Sequence, residues 1–181
     1  MTSFSLLGTG LLGAAIGHRL LEAGFTLNVW NRNPVRCASL VDAGAQQVDH
    51  PAQSLDKASV VLTVLRDGPV TAEVVKSLGP LDQRTVVTMG TMGISESVDL
   101  ADQVQRQGGS YLEAPVLGSR PEALKGALLV MAGGEQNLFD AQLSWLGELA
   151  SQPRLMEKWT PDGDFRRKPE WRGTNNGSKQ D

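Results

Sequence analysis

Gly8, Gly10 and Gly13 are spaced Gly-x-Gly-x-x-Gly, with Thr9, Leu11 and Leu12 between them. A turn of this kind exposes backbone N–H groups, and those donors bind anions when a helix opens directly behind them. Each glycine has its own task. Gly8 permits a tight turn off a strand, Gly10 lets a pyrophosphate approach the backbone, and Gly13 lets helix and sheet pack closely. A second group, Asn31-Arg32-Asn33, stands farther along the chain. An acidic residue about 20 positions past such glycines would hold a ribose 2′-hydroxyl. Here a neutral amide takes that place, followed by a guanidinium that can grip a 2′-phosphate in bidentate fashion. The pair favours NADP over NAD as cofactor. It also speaks against S-adenosylmethionine, another ligand of Gly-rich turns.

These groups need a scaffold, and the pattern on either side of them supplies one. Residues 4–7 read as a strand running into the turn, and residues 12–23 repeat apolar side chains at helical spacing until Gly24. Residues 26–30 form a second predicted strand, and Pro34 opens a helix reaching Ala43. A short strand follows at 46–48. The run Ser-Val-Val-Leu-Thr-Val-Leu at 59–65 is apolar and β-branched throughout, as in a parallel strand buried on both faces. It breaks at Arg66-Asp67-Gly68-Pro69, with a helix through 74–78 beyond. Strands are predicted at 85–89, 110–113 and 128–132, and helices at 95–107 and 135–149. In the last helix Phe139, Leu143, Leu146 and Leu149 are expected to face inward. Strand and helix alternating in this way predict an α/β fold, a doubly wound Rossmann sheet, mostly parallel, with helices on both faces. Ligands of such sheets bind beyond the carboxyl ends of the strands. The glycine turn, Asn31-Arg32-Asn33, Leu65-Arg66, Gly90-Thr91 and Gly118-Ser119 all fall at those ends.

Composition narrows the function classes. Of 181 residues, 40% are hydrophobic and 20% charged, which describes a globular chain able to build one core. The net charge of −3 argues against nucleic acid or an anionic membrane as partner. Cys37 is the single cysteine and His18 and His50 the two histidines, so neither a disulfide framework nor a zinc site is expected. No stretch approaches the roughly 20 apolar residues of a membrane span. A cytoplasmic location is the expectation.

Taken together, Gly8-Thr9-Gly10-Leu11-Leu12-Gly13, Asn31-Arg32-Asn33, Met89-Gly90-Thr91 and Glu113-Ala114-Pro115-Val116-Leu117-Gly118-Ser119 resemble the β-hydroxyacid dehydrogenase family. That family includes 3-hydroxyisobutyrate dehydrogenases and glyoxylate/succinic semialdehyde reductases, and is related to the cofactor domain of 6-phosphogluconate dehydrogenase. The resemblance spans roughly residues 4 to 150, and Lys125-Gly126 through Gly133-Gly134 fits it too. It implies an NAD(P)-dependent oxidoreductase acting on a small carboxylate substrate. By this resemblance Thr91 lies by the nicotinamide ribose and Leu65-Arg66 line the nicotinamide side. Gly118 and Ser119, in the Ala-Pro-Val-x-Gly loop, face the substrate carboxylate.

Two departures qualify what the resemblance implies. The family usually has serine where Leu117 stands, so the substrate loop lacks one hydroxyl, which Ser119 could replace in part. Members also continue into an all-helical domain whose first long helix carries a catalytic lysine and then paired asparagines. Lys168 and Asn175-Asn176 lie at about the right distance, but Pro169 follows the lysine, the spacing differs and no apolar helix surrounds them. No catalytic residue is therefore assigned. The expected organisation is a cofactor domain over residues 1–151 and a polar, disordered tail over 152–181 in place of the helical domain. A truncation or frameshift near Gln152 would account for it, and the oligomeric state stays open. The competing expectation is a dinucleotide-binding module without catalysis.

Overall fold

The computed structural model describes residues 2–156. Its centre is β1, Ser3–Leu7, which is hydrogen-bonded on one side to β2, Thr26–Trp30, and on the other to β4, Val60–Thr63. The sheet is completed by β3 at Gln46–Gln47, β5 at Thr85–Thr88 and β6 at Ser110–Glu113, in the order β3-β2-β1-β4-β5-β6. All five pairings are parallel, with Phe4 opposite both Leu27 and Val60. The order reverses between β1 and β4, so the crossovers on either side of that point lie on opposite faces and open a crevice above it.

The period-2 pattern of the strands divides the core in two. Phe4, Leu6, Leu62 and Val87 face one layer, with Ile16 and Leu20 of α1 (Leu11–Glu22) and Leu40 of α2 (Ala38–Asp42). Leu7, Val61 and Val86 face the other. There they meet Val74 and Val75 of α3 (Gly68–Lys76), and Leu100 and Val104 of α4 (Ile94–Arg106). The first layer also holds Ala123 of α5 (Arg120–Leu124) and the apolar face of α6 (Gln136–Leu149). Trp145 of α6 meets the ring of Phe4 edge-on, at 5.2 Å between centroids and 76°, and so ties the last helix to the first strand.

Several expectations are corrected. The segment from Pro34 begins as a 3₁₀ turn, Pro34–Cys37, before α2. Helix α3 runs through the expected 74 but already includes Gly68 and Pro69 of the expected break, because Asp67 caps it and Pro69 is tolerated in its first turn. In α6 Leu143 is 40% exposed, while Gln142 and Trp145 point inward. That burial is satisfied, since the Trp145 indole N–H donates to Gln142 Oε1 at 2.9 Å.

The strand after α5 is not one more parallel member of the main sheet. It is β8, Leu129–Ala132, antiparallel to a short strand β7, Val116–Leu117, within what was expected to be loop. Beyond it, β9 at Arg154–Leu155 pairs in parallel with Met131 and Ala132. The remainder of the expected tail, including Lys168 and Asn175-Asn176, lies outside the described residues.

Candidate cofactor site

The glycine turn is built as its spacing requires. Gly8 has φ +99°, and a Cβ on it would stand 2.3 Å from the Val64 carbonyl oxygen. On Gly13 a Cβ would lie 2.0 Å from the carbonyl oxygen of Gly8. Gly10 differs. Its φ of −67° suits any residue, and nothing lies within 4 Å of where its Cβ would be. The protein itself therefore has no need of glycine at position 10, and the open volume there is a cradle that a side chain would fill.

Gly10 is also the N-cap of α1, and it brings no side chain to the helix end. No acidic residue stands in the first turn, and the first helical bond runs from Ala14 N–H to the Gly10 carbonyl at 2.8 Å. The N–H groups of Leu11, Leu12 and Gly13 precede that bond, at the positive end of the helix dipole. By contrast α3 is capped by Asp67, whose Oδ1 accepts the Val70 N–H at 3.0 Å. In α4 Glu96 accepts the Gly93 N–H at 2.7 Å.

A cleft of about 880 Å³ opens over this helix end. Gly8, Gly10, Leu11, Leu12 and Gly13 line it, with Asn31, Arg32 and Asn33 from the exit of β2, Leu65 and Arg66 from that of β4, and Gly90 and Thr91 from that of β5. The convergence depends on close backbone packing. A Cβ on Gly90 would meet the Leu65 carbonyl oxygen at 2.8 Å, so glycine there lets the exits of β4 and β5 lie together.

Three of the expected site residues lie away from the cleft lining. Thr9 is buried, its N–H given to Asn31 Oδ1 at 3.2 Å and its hydroxyl 3.5 Å from Cys37 Sγ. Gly118 and Ser119 are exposed and stand at the start of α5. There Ser119 donates its hydroxyl to Glu122 Oε2 at 2.6 Å and its N–H to the same oxygen at 2.8 Å. These bonds hold the Glu122 carboxyl below the usual carboxylate range, the hydroxyl first. Leu117 is 66% exposed and absent from the lining, whereas Val116 contributes to it.

Asn31 is already committed on both sides, since its Nδ2 donates to the Asn33 carbonyl at 2.9 Å. It shapes the turn that presents Arg32. Among the described residues neither the Arg32 nor the Arg36 side chain has a hydrogen-bonding or ionic partner, and both residues are exposed. Arg36 was missed in the sequence, although four residues past Arg32 is a spacing that a helical turn brings to one side. Trp30 was missed too. It lines the cleft and anchors its indole N–H on the Asp49 carbonyl at 3.3 Å. Helix α3 adds Val70, Glu73, Val74 and Ser77 to the wall. The ionisable lining is thus Arg32, Arg36, Arg66 and Glu73, a cationic cleft in an acidic protein.

Arg66 pairs with Asp67, Nε to Oδ2, at 2.6 Å. The Asp67 carboxyl is held below its usual range, first by the Val70 N–H and then by the Arg66 side chain. Behind the Thr91 loop, Tyr111 OH lies 3.0 Å from both Thr88 Oγ1 and Ser97 Oγ, and Ser97 donates to Glu113 Oε2 at 2.9 Å. Burial pushes the Tyr111 phenol up. His18 and His50 stand off the cleft, and among the described residues no group of three or more metal-ligating side chains gathers. No described helix is long and apolar enough to cross a membrane.

The residues present fit a dinucleotide: an open cradle at Gly10, an uncapped helix end for a pyrophosphate, and two free guanidiniums where β2 ends. Comparison with known proteins agrees. The sequence profile described as the NAD binding domain of 6-phosphogluconate dehydrogenase matches residues 3–158. The chain is 31% identical over 144 residues to the cytokine-like nuclear factor N-PAC of Drosophila melanogaster, an alignment covering 76% of this chain and 24% of that protein. It is 30% identical over 142 residues to glyoxylate/succinic semialdehyde reductase 1 of Arabidopsis thaliana, covering 76% of this chain and 49% of the reductase. An imine reductase structure from Pseudomonas sp. superposes with a TM-score of 0.83 at 25% identity, over 91% of this chain and 58% of the other. The chain therefore spans about a quarter to somewhat more than half the length of these relatives.

Proposed function

From the premise that the chain belongs to the family of the NAD binding domain of 6-phosphogluconate dehydrogenase, we propose that it is the cofactor domain of an NADP-preferring oxidoreductase. Its reaction interconverts a small hydroxy acid with the corresponding aldehyde or keto acid. When bound, the nicotinamide ring supplies or accepts the hydride. The chain's own residues do the rest. The N–H groups at the start of α1 hold the pyrophosphate, with Gly10 leaving room for it. Arg32 and Arg36 take the 2′-phosphate, while Asn31, an uncharged residue, imposes no repulsion on it. Thr91 and Leu65 flank the nicotinamide half, and Val116 closes that end of the cleft with an apolar surface. A small carboxylate is the proposed substrate, and the cytoplasm the proposed compartment.

The observation that carries this reading is the contrast among the three glycines. Gly8 and Gly13 are required by the protein's own packing, whereas Gly10 faces open space at an uncapped helix end. The test is titration of the purified chain with NADPH and NADH, followed by nicotinamide absorbance in the presence of glyoxylate, succinic semialdehyde or 3-hydroxyisobutyrate. Saturable NADPH binding with turnover of one of these supports it, and absence of nucleotide binding by folded protein would overturn it.

A second reading has its own observation. The ionisable groups lining the cleft are three arginines and Glu73. Among the described residues no lysine or histidine stands in the cleft to deliver a proton to a developing alkoxide. A chain that binds NADPH and turns over none of these substrates would be a dinucleotide-binding module.

A further inference from the structure

Thr91 lines the cleft, yet among the described residues it makes no hydrogen bond of its own. Its place is set by what holds the two ends of its loop. On one side stands Thr88, the last residue of β5. On the other is the start of α4, where Ser97 gives its N–H to the Gly93 carbonyl at 3.0 Å. Both side chains are buried, and both meet one atom. The Tyr111 hydroxyl, from β6, lies 3.0 Å from Thr88 Oγ1 and 3.0 Å from Ser97 Oγ. Met92, next to Thr91, brings its Sδ to 3.7 Å from the same oxygen. One phenol therefore pins three points around Thr91.

The hydrogen bonds of this cluster have a direction. Each hydroxyl has one hydrogen to give. Ser97 gives its hydrogen to Glu113 Oε2 at 2.9 Å, so towards Tyr111 its oxygen accepts. Tyr111 in turn accepts from Thr88. A chain Thr88–Tyr111–Ser97–Glu113 results, in which each bond polarises the next. It ends on a residue whose backbone is fixed, since the Glu113 N–H and carbonyl both bond to Gly133, at 3.0 and 2.7 Å. None of the four lines the cleft. Tyr111 packs instead in the layer of Leu100 and Val104 of α4.

We propose that Tyr111 is a positioning residue: its hydroxyl, at the centre of this chain, holds the Thr91 loop where it grips the nicotinamide half of the nucleotide. This rests on the cofactor reading above and extends it to residues outside the cleft. The sites proposed for the other half, the start of α1 and the exit of β2, share no residue with the chain.

The test compares two ligands titrated by calorimetry into the full chain. One is NADPH. The other is adenosine 2′,5′-bisphosphate, which has the 2′-phosphate but no nicotinamide. Tyr111→Phe keeps the ring and removes the hydroxyl. It is expected to weaken NADPH about fivefold and to leave the bisphosphate within about twofold of wild type. Ser97→Ala is expected to do the same, and it carries the test should Tyr111→Phe melt below the working temperature. In a Thr91→Ala background, Tyr111→Phe should cost NADPH less than about twofold more, because the two substitutions remove one shared interaction. Equal losses for the two ligands in a folded variant would mark a merely structural hydroxyl and overturn the proposal. So would an unchanged NADPH affinity, additive losses in the Thr91→Ala pair, or a wild type that binds both ligands equally. A wild type that binds neither would instead sink the cofactor reading, and this proposal with it.

Discussion

The carbonyl oxygen of Gly8 lies 2.0 Å from where a Cβ of Gly13 would be, so α1 packs directly on the turn that precedes it. Two glycines of one motif are thereby structural, and the one between them is not. Gly13→Ala is expected to destabilise the fold by about 1–3 kcal/mol through overpacking against backbone. Gly8→Ala adds strain at positive φ to a similar clash. Gly10→Ala should melt within a degree or two of wild type yet bind NADPH at least tenfold more weakly. Thermal melts and nucleotide titrations of the three variants give the answer, and an unstable Gly10→Ala that still bound would contradict the assignment.

The proposed function assigns to Arg32 and Arg36 the discrimination between the two nucleotides. Each charge-assisted bond to a 2′-phosphate is worth about 1.5–3 kcal/mol, or roughly ten- to a hundredfold in affinity. Arg32→Ala and Arg36→Ala should each weaken NADPH by about that factor and leave NADH nearly unchanged, with the NADPH affinity of wild type falling as salt rises. Equal losses for both nucleotides would place these arginines outside phosphate recognition. Trp30, in the same lining, offers fluorescence as the readout.

Tyr111 is the chain's one tyrosine, so phenolate absorbance reports it alone. Its pKa is raised, mainly by burial. The sign follows: the stability it contributes is present below the ordinary tyrosine range near about 10 and is lost as pH rises through the raised folded value. Ionisation should therefore begin late and coincide with alkaline unfolding. Tyr111→Phe removes bonds to Thr88 and Ser97 and should cost about 1–2 kcal/mol at neutral pH. A phenol that titrated normally in folded protein would show that the hydroxyl cluster is open to water.

Asp67 works in the opposite direction. Its carboxyl is lowered by the Val70 N–H and then by Arg66, so its contribution is present above the ordinary aspartate range near about 4 and fades as pH falls through the folded value. Asp67→Asn keeps a capping oxygen but not the charge, and its stability should lose less than wild type between mildly acid and strongly acid conditions. Parallel acid melts would reveal a steeper loss if the assignment is mistaken. Asp67→Ala removes the cap as well and should be the less stable of the two at neutral pH.

Leu117 and Leu129 stand opposite each other across β7 and β8, and both are exposed. An exposed apolar pair of this kind favours self-association. Leu117→Ser should raise the concentration at which sedimentation shows a monomer. An unchanged sedimentation profile would show that this face takes no part in association.

Much was legible along the chain because it depends on neighbours in sequence. The alternation of Phe4, Leu6 and Leu7 into Gly8, the 3.6-residue repeat of Ile16 and Leu20, and the apolar run into Thr63 each specify a local conformation. The strand–turn–helix of the proposed anion site could therefore be read from spacing, together with the residue types at the ends of β2 and β5. Helix α6 shows the limit. Phe139, Leu146 and Leu149 face inward as their period requires, but Leu143 does not, because Trp145 reaches Phe4 and Gln142 is buried beside it; a small rotation of a helix is invisible to a pattern in which several apolar residues compete.

What the tertiary structure alone decided is which distant segments meet. An antiparallel strand and a parallel one share the same alternation, so only the pairing of Val130 with Val116, and the bridge of Gly133 to Glu113 at the end of β6, shows that β8 runs antiparallel. Whether a loop hydroxyl faces a ligand or a neighbour is likewise a matter of contact, and Glu122 takes that of Ser119. Arg36, Arg66 and Glu73 meet in one cleft because parallel pairing brings the ends of β2, β4 and α3 to one rim. Local periodicity sets each element. Hydrogen bonds and packing between elements far apart in sequence set the site, and that information resides in no single stretch of the chain.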